Sequence, residues 1–104
     1  MSLVRSSHAA QHMEHRTRVT CRIAGKVHGI GFRFGIRDLA TRVQLTGTVR
    51  NVADGTVEVV AEGPADALET LRAFCYRGPD GANGTRVEIS EAPATGEFSS
   101  FEIR

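Results

Sequence analysis

A short glycine-rich segment that ends in an arginine is the part of the sequence best suited to hold an anion. Residues 25–33 read GKVHGIGFR, with glycines at positions 25, 29 and 31. Backbone N–H groups in such a turn at a helix start can point at one anion, and the helix dipole adds attraction. Arg33 can close this cradle, because a guanidinium donates two parallel hydrogen bonds to phosphate oxygens and stays charged. The segment therefore predicts a site for a single phosphate group.

The established nucleotide-binding motifs do not describe this segment. It lacks the GxxxxGK[ST] pattern, and Gly29-x-Gly31 has no third glycine to complete a dinucleotide fingerprint. On spacing alone, an ordinary strand-to-helix connection with Arg33 as a solvated helix residue is the better explanation, because isolated glycine motifs are unspecific.

Periodicity predicts the elements that flank the segment. From Thr17 the sequence alternates strictly, as in a half-buried strand. After the glycines, apolar residues recur at the three-and-four spacing of an amphipathic helix. The strand residues expected to face the core are Val19, Cys21 and Ile23, and those of the helix are Phe32, Ile36, Leu39, Ala40 and Val43.

The rest of the chain repeats these element types. Two β-rich runs, Thr46 to Asn51 and Thr56 to Glu62, flank an Asp-Gly pair and predict an antiparallel hairpin. A second helical stripe follows Pro64 and stops at Gly78-Pro79, and two short strands end the chain. The order βαββαβ predicts an α+β sandwich with two helices on one face of an antiparallel sheet. This architecture serves enzymes, metabolite sensors and RNA-binding modules alike.

Length and composition indicate one globular domain. The 104 residues are 40% hydrophobic and 24% charged, with a formal net charge of +1, so a core is expected and general attraction to nucleic acid or membrane is not. No apolar run approaches the roughly 20 residues that span a bilayer, and Met1 to Thr17 lacks the apolar central region of a secretory signal. We expect a cytoplasmic monomer with a loose tail at residues 1–16 and one domain at residues 17–104.

Cysteine and histidine are the side chains to test for metal binding. Cys21 and Cys75 fit neither a CxxC nor a zinc spacing, so we expect buried free thiols. The tail histidines 8, 12 and 15 are spaced so that they could meet on a helix, but a solvated tail explains them better. We therefore expect no metal and no other cofactor.

Three segments closely resemble the signature of the acylphosphatase family: GKVHGIGFR at 25–33, GTVRN at 47–51 and DGTVEV at 54–59. Similar residues recur at Gly63, Gly78-Pro79, Arg86-Val87 and Phe101-x-Ile103, so the resemblance runs from about residue 19 to the C-terminus. It implies a ferredoxin-like βαββαβ fold with the strands in the order 4-3-1-5-2. It also implies hydrolysis of the carboxyl-phosphate bond of a small acyl phosphate, giving a carboxylate and inorganic phosphate.

The resemblance also assigns roles to individual residues. Arg33 corresponds to the phosphate-binding arginine and Asn51 to the asparagine that orients water. The phosphate cradle corresponds to the backbone of His28, Gly29, Ile30, Gly31 and Phe32. Without the resemblance, Asn51 would be explained as a strand-end residue that satisfies the backbone of the following turn.

Three departures from the family pattern stand out. His28 replaces the usual glutamine, and the loop at residues 79–84 is longer than usual. Gln44 occupies the place of a glycine that commonly ends the first helix, which puts a left-handed helix end in question because a Cβ resists positive φ. None of the three removes a catalytic group.

Two other functions compete with hydrolysis. A non-catalytic anion- or metabolite-binding module of the same fold, or a detached relative of the acylphosphatase module of carbamoyl-transferring maturation proteins, would keep Arg33. Such a module would not need Asn51 to position a water. RNA binding on the sheet would call for exposed aromatic residues on the central strands, and strands one and three contain none.

Overall fold

The computed structural model describes residues 16–25, 27, 29–78 and 86–104, which contain two helices and five strands. Their order is the expected βαββαβ followed by the second of the two short strands expected at the end of the chain. Two predicted segments lie outside the described residues: the tail at 1–16, apart from Arg16, and the loop at 79–84. What the sequence predicts for them stays a prediction. The helices are α1 (Ile30–Arg42) and α2 (Ala65–Arg77), and the strands are β1 (Thr17–Ala24), β2 (Thr46–Asn51), β3 (Val57–Gly63), β4 (Arg86–Pro93) and β5 (Phe101–Ile103).

The strands form one sheet in the order β4-β1-β3-β2-β5. The predicted β2–β3 hairpin is confirmed: the two strands pair antiparallel, and the Val52 N–H donates to the Thr56 carbonyl at 2.8 Å across the turn. The order 4-3-1-5-2 is wrong. It would have separated β2 from β3, which such a short turn cannot allow.

The sheet is mixed rather than purely antiparallel, because β5 runs parallel to β2. Strands β4 and β5 lie at opposite edges of the sheet. Residues 94–100 join them across one end of the sheet, and this crossing gives β5 the direction of β2. The predicted α+β, ferredoxin-like class is confirmed with that one parallel pair.

The helices cover one face of the sheet, where the alternate residues of β1 are buried as predicted. Phe32 of α1 and Phe74 of α2 stack with their ring centroids 6.1 Å apart, which ties the helices together. Burying one such large apolar side chain contributes about 1.5–3 kcal/mol. The buried set is Val19, Cys21, Ile23, Val27, Phe32, Ile36, Ala40, Leu45, Val49, Val57, Val59, Ala61, Ala67, Leu68, Leu71, Cys75 and Phe101.

Helix α1 ends in a left-handed residue even though that residue is not glycine. Gln44 has a φ of 63°. Its N–H donates to Thr41, and the N–H of Leu45 donates to Ala40 at 2.8 Å, while the Leu45 side chain is buried. These two bonds and the burial of Leu45 make a Schellman motif. The hydrogen bonds and burial hold Gln44 in a conformation that its Cβ disfavours.

Gln44→Gly is therefore expected to stabilise the protein. The left-handed conformation costs a residue with a Cβ about 1–2 kcal/mol, and part of the relief is offset by the greater freedom of glycine in the unfolded chain. We expect a gain of about 0.5–1 kcal/mol in the free energy of unfolding, measured in urea. Gln44→Ala, which keeps the Cβ, should change stability little; an equal gain in both variants would contradict the explanation.

At the sheet end crossed by residues 94–100, one buried carboxylate holds the crossing segment. Glu62 of β3 is 0% exposed. It accepts hydrogen bonds from Arg18 Nε at 2.8 Å, from the N–H of Thr95 at 3.0 Å and its hydroxyl at 3.1 Å, and from the N–H of Gly96 at 3.0 Å. Arg18 also pairs with Glu97. Every donor comes from outside β3, so Glu62 fastens the β4–β5 connection to the sheet.

This network predicts a loss of stability in acid. Burial opposes ionisation of Glu62, but the bonds from Thr95, Arg18 and Gly96 outweigh it and lower its pKa from 4.5 to about 2. Because the folded-state pKa is depressed, the stabilisation is complete above pH 4.5 and is lost as the pH falls toward 2. Urea unfolding between pH 6 and pH 2 should show this decline.

The matched variants are Glu62→Gln and Glu69→Gln, the second removing an exposed carboxylate of α2. Glu62→Gln should be less stable at pH 6 and should lose much of the decline in acid, because the titrating group is gone. Glu69→Gln should keep the profile of the unaltered chain. An unchanged acid profile in Glu62→Gln would contradict the role of Glu62.

Candidate active site

The predicted anion cradle lies where β1 passes into α1. Gly25 follows the strand with a φ of 125°, and the Val27 N–H donates to the Gly25 carbonyl at 3.0 Å. The side chain of Val27 is completely buried, so it anchors the loop in the core. The sequence pattern did not predict this anchor, although an apolar residue among glycines and basic residues is a signal for one. His28 lies outside the described residues.

The first backbone N–H groups of helix α1 are available as hydrogen-bond donors at this point. Gly29 is its N-cap, no side chain caps it, and its first turn contains no acidic residue. The first N–H groups of a helix have no intrahelical carbonyl partner and commonly bind an anion. The backbone of Ile30, Gly31 and Phe32 forms this turn. Among the hydrogen bonds described at this turn, only the Phe32 N–H has an acceptor nearby, the Gly29 carbonyl at 3.2 Å.

Neither packing nor backbone conformation explains the glycines at 29 and 31. Gly29 has a φ of −73° and Gly31 lies inside the helix, so both conformations suit any residue. Beyond the chain neighbours and the backbone of α1 itself, a Cβ at either position would meet no atom of the described residues within 4 Å, and both residues are exposed. A hydrogen in place of a side chain does leave the backbone open to close approach by a ligand.

Arg33 occupies the first turn of α1, as the cradle hypothesis expects. Its Nε is buried and has no hydrogen-bond partner in the described part of the protein. A buried guanidinium N–H without an acceptor is costly, since burying a polar group forfeits its bonds to water. An anion in the cradle would supply that acceptor.

Asn51 ends β2 at the same end of the sheet. It pairs with Val57 of β3, which in turn pairs with Ile23 near the end of β1. Two strand spacings, about 10 Å, separate the backbones of β2 and β1. Since Asn51 lies two residues beyond the fully buried Val49, its side chain shares the helix-covered face. The register thus brings Asn51 and the start of α1 to one corner of the fold.

The Asn51 carboxamide takes no described part in the following turn. Thr56 donates its N–H to Asp54 at 3.0 Å and its hydroxyl at 2.6 Å, and the Gly55 N–H donates to the Val52 carbonyl at 3.0 Å. Oδ1 of Asn51 is buried, and no described residue gives it a hydrogen-bond partner. The turn is therefore held by Asp54 and backbone bonds, which weakens the purely structural explanation of Asn51.

Among the described residues, three buried side-chain atoms lack a hydrogen-bond partner: Arg33 Nε, Asn51 Oδ1 and Thr46 Oγ1. Buried polar groups in native proteins are nearly always paired, so each exception calls for an explanation. Thr46 lies at the far end of β2 from Asn51. The other two are a donor and an acceptor at the same corner, a combination that suits a phosphoryl oxygen and a water molecule.

The carboxylates described near this corner are unsuited to act as acids. Hydrogen bonds from the hydroxyl and N–H of Thr56 lower the pKa of Asp54. Burial raises the pKa of Glu58, but hydrogen bonds from Arg50 and Arg22 outweigh it and lower the pKa. Both groups stay ionised at neutral pH.

The family model for acylphosphatase matches residues 19–103. The chain belongs to the acylphosphatase family. Acylphosphatases of Methylococcus capsulatus and of Synechococcus sp. (strain CC9605) are 43% and 48% identical to it, over 83% and 79% of this chain and 94% and 98% of theirs. A solved acylphosphatase structure from Coxiella burnetii has a TM-score of 0.79 at 34% identity and covers 90% of this chain and 98% of that one. These similarities confirm the predicted family, fold class and enzyme class.

Two further properties of this acylphosphatase concern other kinds of site. Within the described ranges, no group of three or more His, Cys, Asp or Glu side chains is placed to hold a metal ion; histidines 8, 12 and 15 lie outside those ranges. No helix in the described part of the chain is both long and apolar enough to cross a membrane.

Proposed function

We propose that this acylphosphatase holds the phosphoryl group of an acyl phosphate with Arg33 and the backbone of residues 28–32, and that Asn51 orients the attacking water. The observation that carries the proposal is a pair of buried atoms that lack a hydrogen-bond partner among the described residues, Arg33 Nε and Asn51 Oδ1, at the corner where α1 begins. One donor faces the charge of the substrate and one acceptor faces the water.

The substrate explains why no general acid is needed. The leaving group is a carboxylate whose conjugate acid has a pKa of about 4, judged from ordinary carboxyl groups, so it departs without being protonated. The remaining tasks are to neutralise charge on the phosphoryl oxygens and to hold a water in line with the breaking P–O bond. The ionised state of Asp54 and Glu58 is compatible with this chemistry.

Arg33 performs the electrostatic task. Its guanidinium donates hydrogen bonds to phosphoryl oxygens, and the uncapped N–H groups of α1 add donors from the backbone. The helix dipole places positive potential at the same point. Phosphoryl charge therefore meets preorganised donors, which need no rearrangement during the reaction.

Asn51 performs the positioning task. Its Oδ1 accepts a hydrogen bond from the water and so aims a lone pair of the water at phosphorus. A carboxamide is too weak a base to take the proton. The proton passes instead to a phosphoryl oxygen of the substrate, and the products are a carboxylate and inorganic phosphate.

The competing functions fit the described geometry less well. A module that only binds an anion would have no use for the buried Oδ1 of Asn51, which has no hydrogen-bond partner in the described part of the chain. Two arginines on the open face of the sheet, Arg22 and Arg50, are ion-paired with Glu58 at 3.3 and 2.9 Å. Their charge is therefore already balanced and less available to RNA. On the sequence alone we further propose a monomer that works in the cytoplasm without metal or other cofactor.

The test of the proposed function is hydrolysis of benzoyl phosphate by the purified full chain, with and without exhaustive chelation. We expect turnover that chelation leaves unchanged and that inorganic phosphate inhibits competitively. Absence of turnover in folded protein that still binds phosphate would favour the binding-only module. Activity lost on chelation and restored by a divalent ion would overturn the metal-free mechanism.

A further inference from the structure

An exposed aromatic side chain stands beside the start of α1. Phe34 directly follows Arg33 in the chain and is 42% exposed, whereas Phe32 on the same helix is buried. Among the described residues, Tyr76 is the other large hydrophobic side chain that is exposed. A single exposed apolar side chain is common on protein surfaces, so the position of the Phe34 ring, not its exposure, is what indicates a role.

The Phe34 ring extends toward the N-terminus of α1. The Cα–Cβ bonds of a helix tilt toward its N-terminus, and long side chains lie over the turn that precedes them. For Phe34 that turn contains Gly31, where no side chain occupies the surface. Beyond the chain neighbours and the backbone of α1, a Cβ on Gly31 would meet no atom of the described residues within 4 Å. The ring therefore lies beside the N–H groups that begin the helix.

Arg37 holds the Phe34 ring on the helix surface. The guanidinium carbon of Arg37 lies 4.8 Å from the ring centroid, a cation–π contact. The same guanidinium donates to Asp38 at 3.0 and 3.1 Å, which fixes its position. Arg37 comes one helical turn after Phe34, so it contacts the ring from the C-terminal side and leaves the side toward the start of α1 to a ligand. A ring held in place loses little freedom when a ligand binds it.

Asn51 and Phe34 lie on opposite sides of the start of α1. This helix packs on β2 and β5, and the side chain of Asn51 shares the helix-covered face of the sheet. Phe34 is two residues from both Phe32 and Ile36, which belong to the buried core. Two residues correspond to about 200° around a helix. Phe34 therefore faces away from the sheet, and Asn51 lies on the sheet side.

We propose that Phe34 binds the acyl group of the substrate, so that the enzyme favours acyl phosphates with an aromatic or large apolar acyl group. The inference rests on the proposed function, in which Asn51 holds the attacking water. In-line displacement places the leaving group opposite the water. A water on the sheet side thus directs the acyl group away from the sheet, toward the Phe34 ring. An aryl group gains stacking and apolar burial there that a methyl group cannot match.

The experiment compares benzoyl phosphate with acetyl phosphate in the full chain and in Phe34→Ala. We expect Phe34→Ala to raise KM for benzoyl phosphate about tenfold and KM for acetyl phosphate less than about twofold. The value of kcat should change little, because a contact with the acyl group exists in the ground state and the transition state alike. Inorganic phosphate, which has no acyl group, should inhibit both proteins equally. Phe34→Tyr, which keeps the ring, should keep the preference.

Tyr76→Ala is the matched control, because it removes the other exposed aromatic side chain. Tyr76 comes one turn after Arg72, which pairs with Glu91 of β4 at 3.4 Å, so it lies on the flank of α2 that faces the β4 edge of the sheet. Both KM values should be unchanged in this variant. Equal rises of the two KM values in Phe34→Ala would overturn the proposal, and so would the same selective rise in Tyr76→Ala.

Calorimetric titration with benzoylphosphonate and acetylphosphonate tests the acyl contact without turnover, because a P–C bond replaces the scissile P–O bond. Benzoylphosphonate should bind the unaltered chain about tenfold more tightly than acetylphosphonate, and Phe34→Ala should bind the two equally. Equal binding of both by the unaltered chain would overturn the role of Phe34. A chain that shows the binding preference but hydrolyses neither acyl phosphate would refute the proposed function and support the contact with Phe34.

Discussion

Replacing Arg33 by alanine is expected to weaken phosphate inhibition and to lower turnover of an acyl phosphate by at least about 100-fold. By analogy with other preorganised transition-state donors, its loss costs on the order of 3 kcal/mol or more of the activation barrier. The Arg33 Nε is buried without a described protein partner, so its hydrogen-bonding capacity is free for the substrate. The measurements are kcat, KM and the inhibition constant of inorganic phosphate.

Arg33→Lys should recover little of the lost activity. A lysine restores the charge, but it does not restore the planar pair of parallel donors that matches two phosphoryl oxygens. Recovery of most of the turnover in this variant would show that charge alone suffices and that the bidentate geometry is unimportant.

Arg37 supplies a matched control one helical turn further along α1. Its guanidinium donates to Asp38 at 3.0 Å and lies 4.8 Å from the ring centroid of Phe34, as expected for an arginine on a helix surface. Arg37→Ala removes the same charge from the same helix. A comparable loss of turnover in Arg33→Ala and Arg37→Ala would therefore indicate a general electrostatic effect of positive charge on α1. Phosphate affinity that is unchanged in folded Arg33→Ala would place the anion elsewhere.

The sequence predicted the elements of this fold better than their arrangement. Alternation at Val19, Cys21 and Ile23 is a local signal, because successive side chains of a strand point to opposite faces. The place of β5 beside β2 depends on a chain crossing at the sheet end, which no local pattern records. The bonds from Thr95 and Gly96 that fasten this crossing to Glu62 span more than 30 residues of sequence, so periodicity gave no sign that Glu62 is buried.

The candidate site shows the same division between residue type and placement. Residue types and the family resemblance pointed to Arg33 and Asn51. The position of these two residues at one corner of the fold depends on the register that sets Asn51 beside Val57 and Val57 beside Ile23. Register follows from the whole sheet, not from spacing within one strand. Gln44 shows the reverse case, in which hydrogen bonds and packing override the local preference of a residue.

Asn51→Ala is expected to abolish nearly all turnover while inorganic phosphate still binds. Arg33 and the start of α1 would still hold the anion, but no side chain would aim the water at phosphorus. Losing a group that acts in the transition state raises the barrier without changing ground-state binding, so the defect should lie in kcat with KM little altered. Calorimetric titration with phosphate and an acyl phosphate assay on the same folded sample measure the two effects.

Two companion variants separate the water-positioning role of Asn51 from a role in the turn. Asn51→Asp should not restore activity, because a carboxylate beside the phosphoryl oxygens adds repulsion between like charges. Asp54→Ala removes the acceptor of the Thr56 N–H at 3.0 Å and so loosens the turn while keeping Asn51. If Asn51 acted only through the turn, Asp54→Ala would reproduce the loss of turnover; we expect it to lower stability and leave most of kcat. Lost phosphate binding in folded Asn51→Ala would instead make Asn51 part of the anion site, and near-normal turnover would refute its role with water.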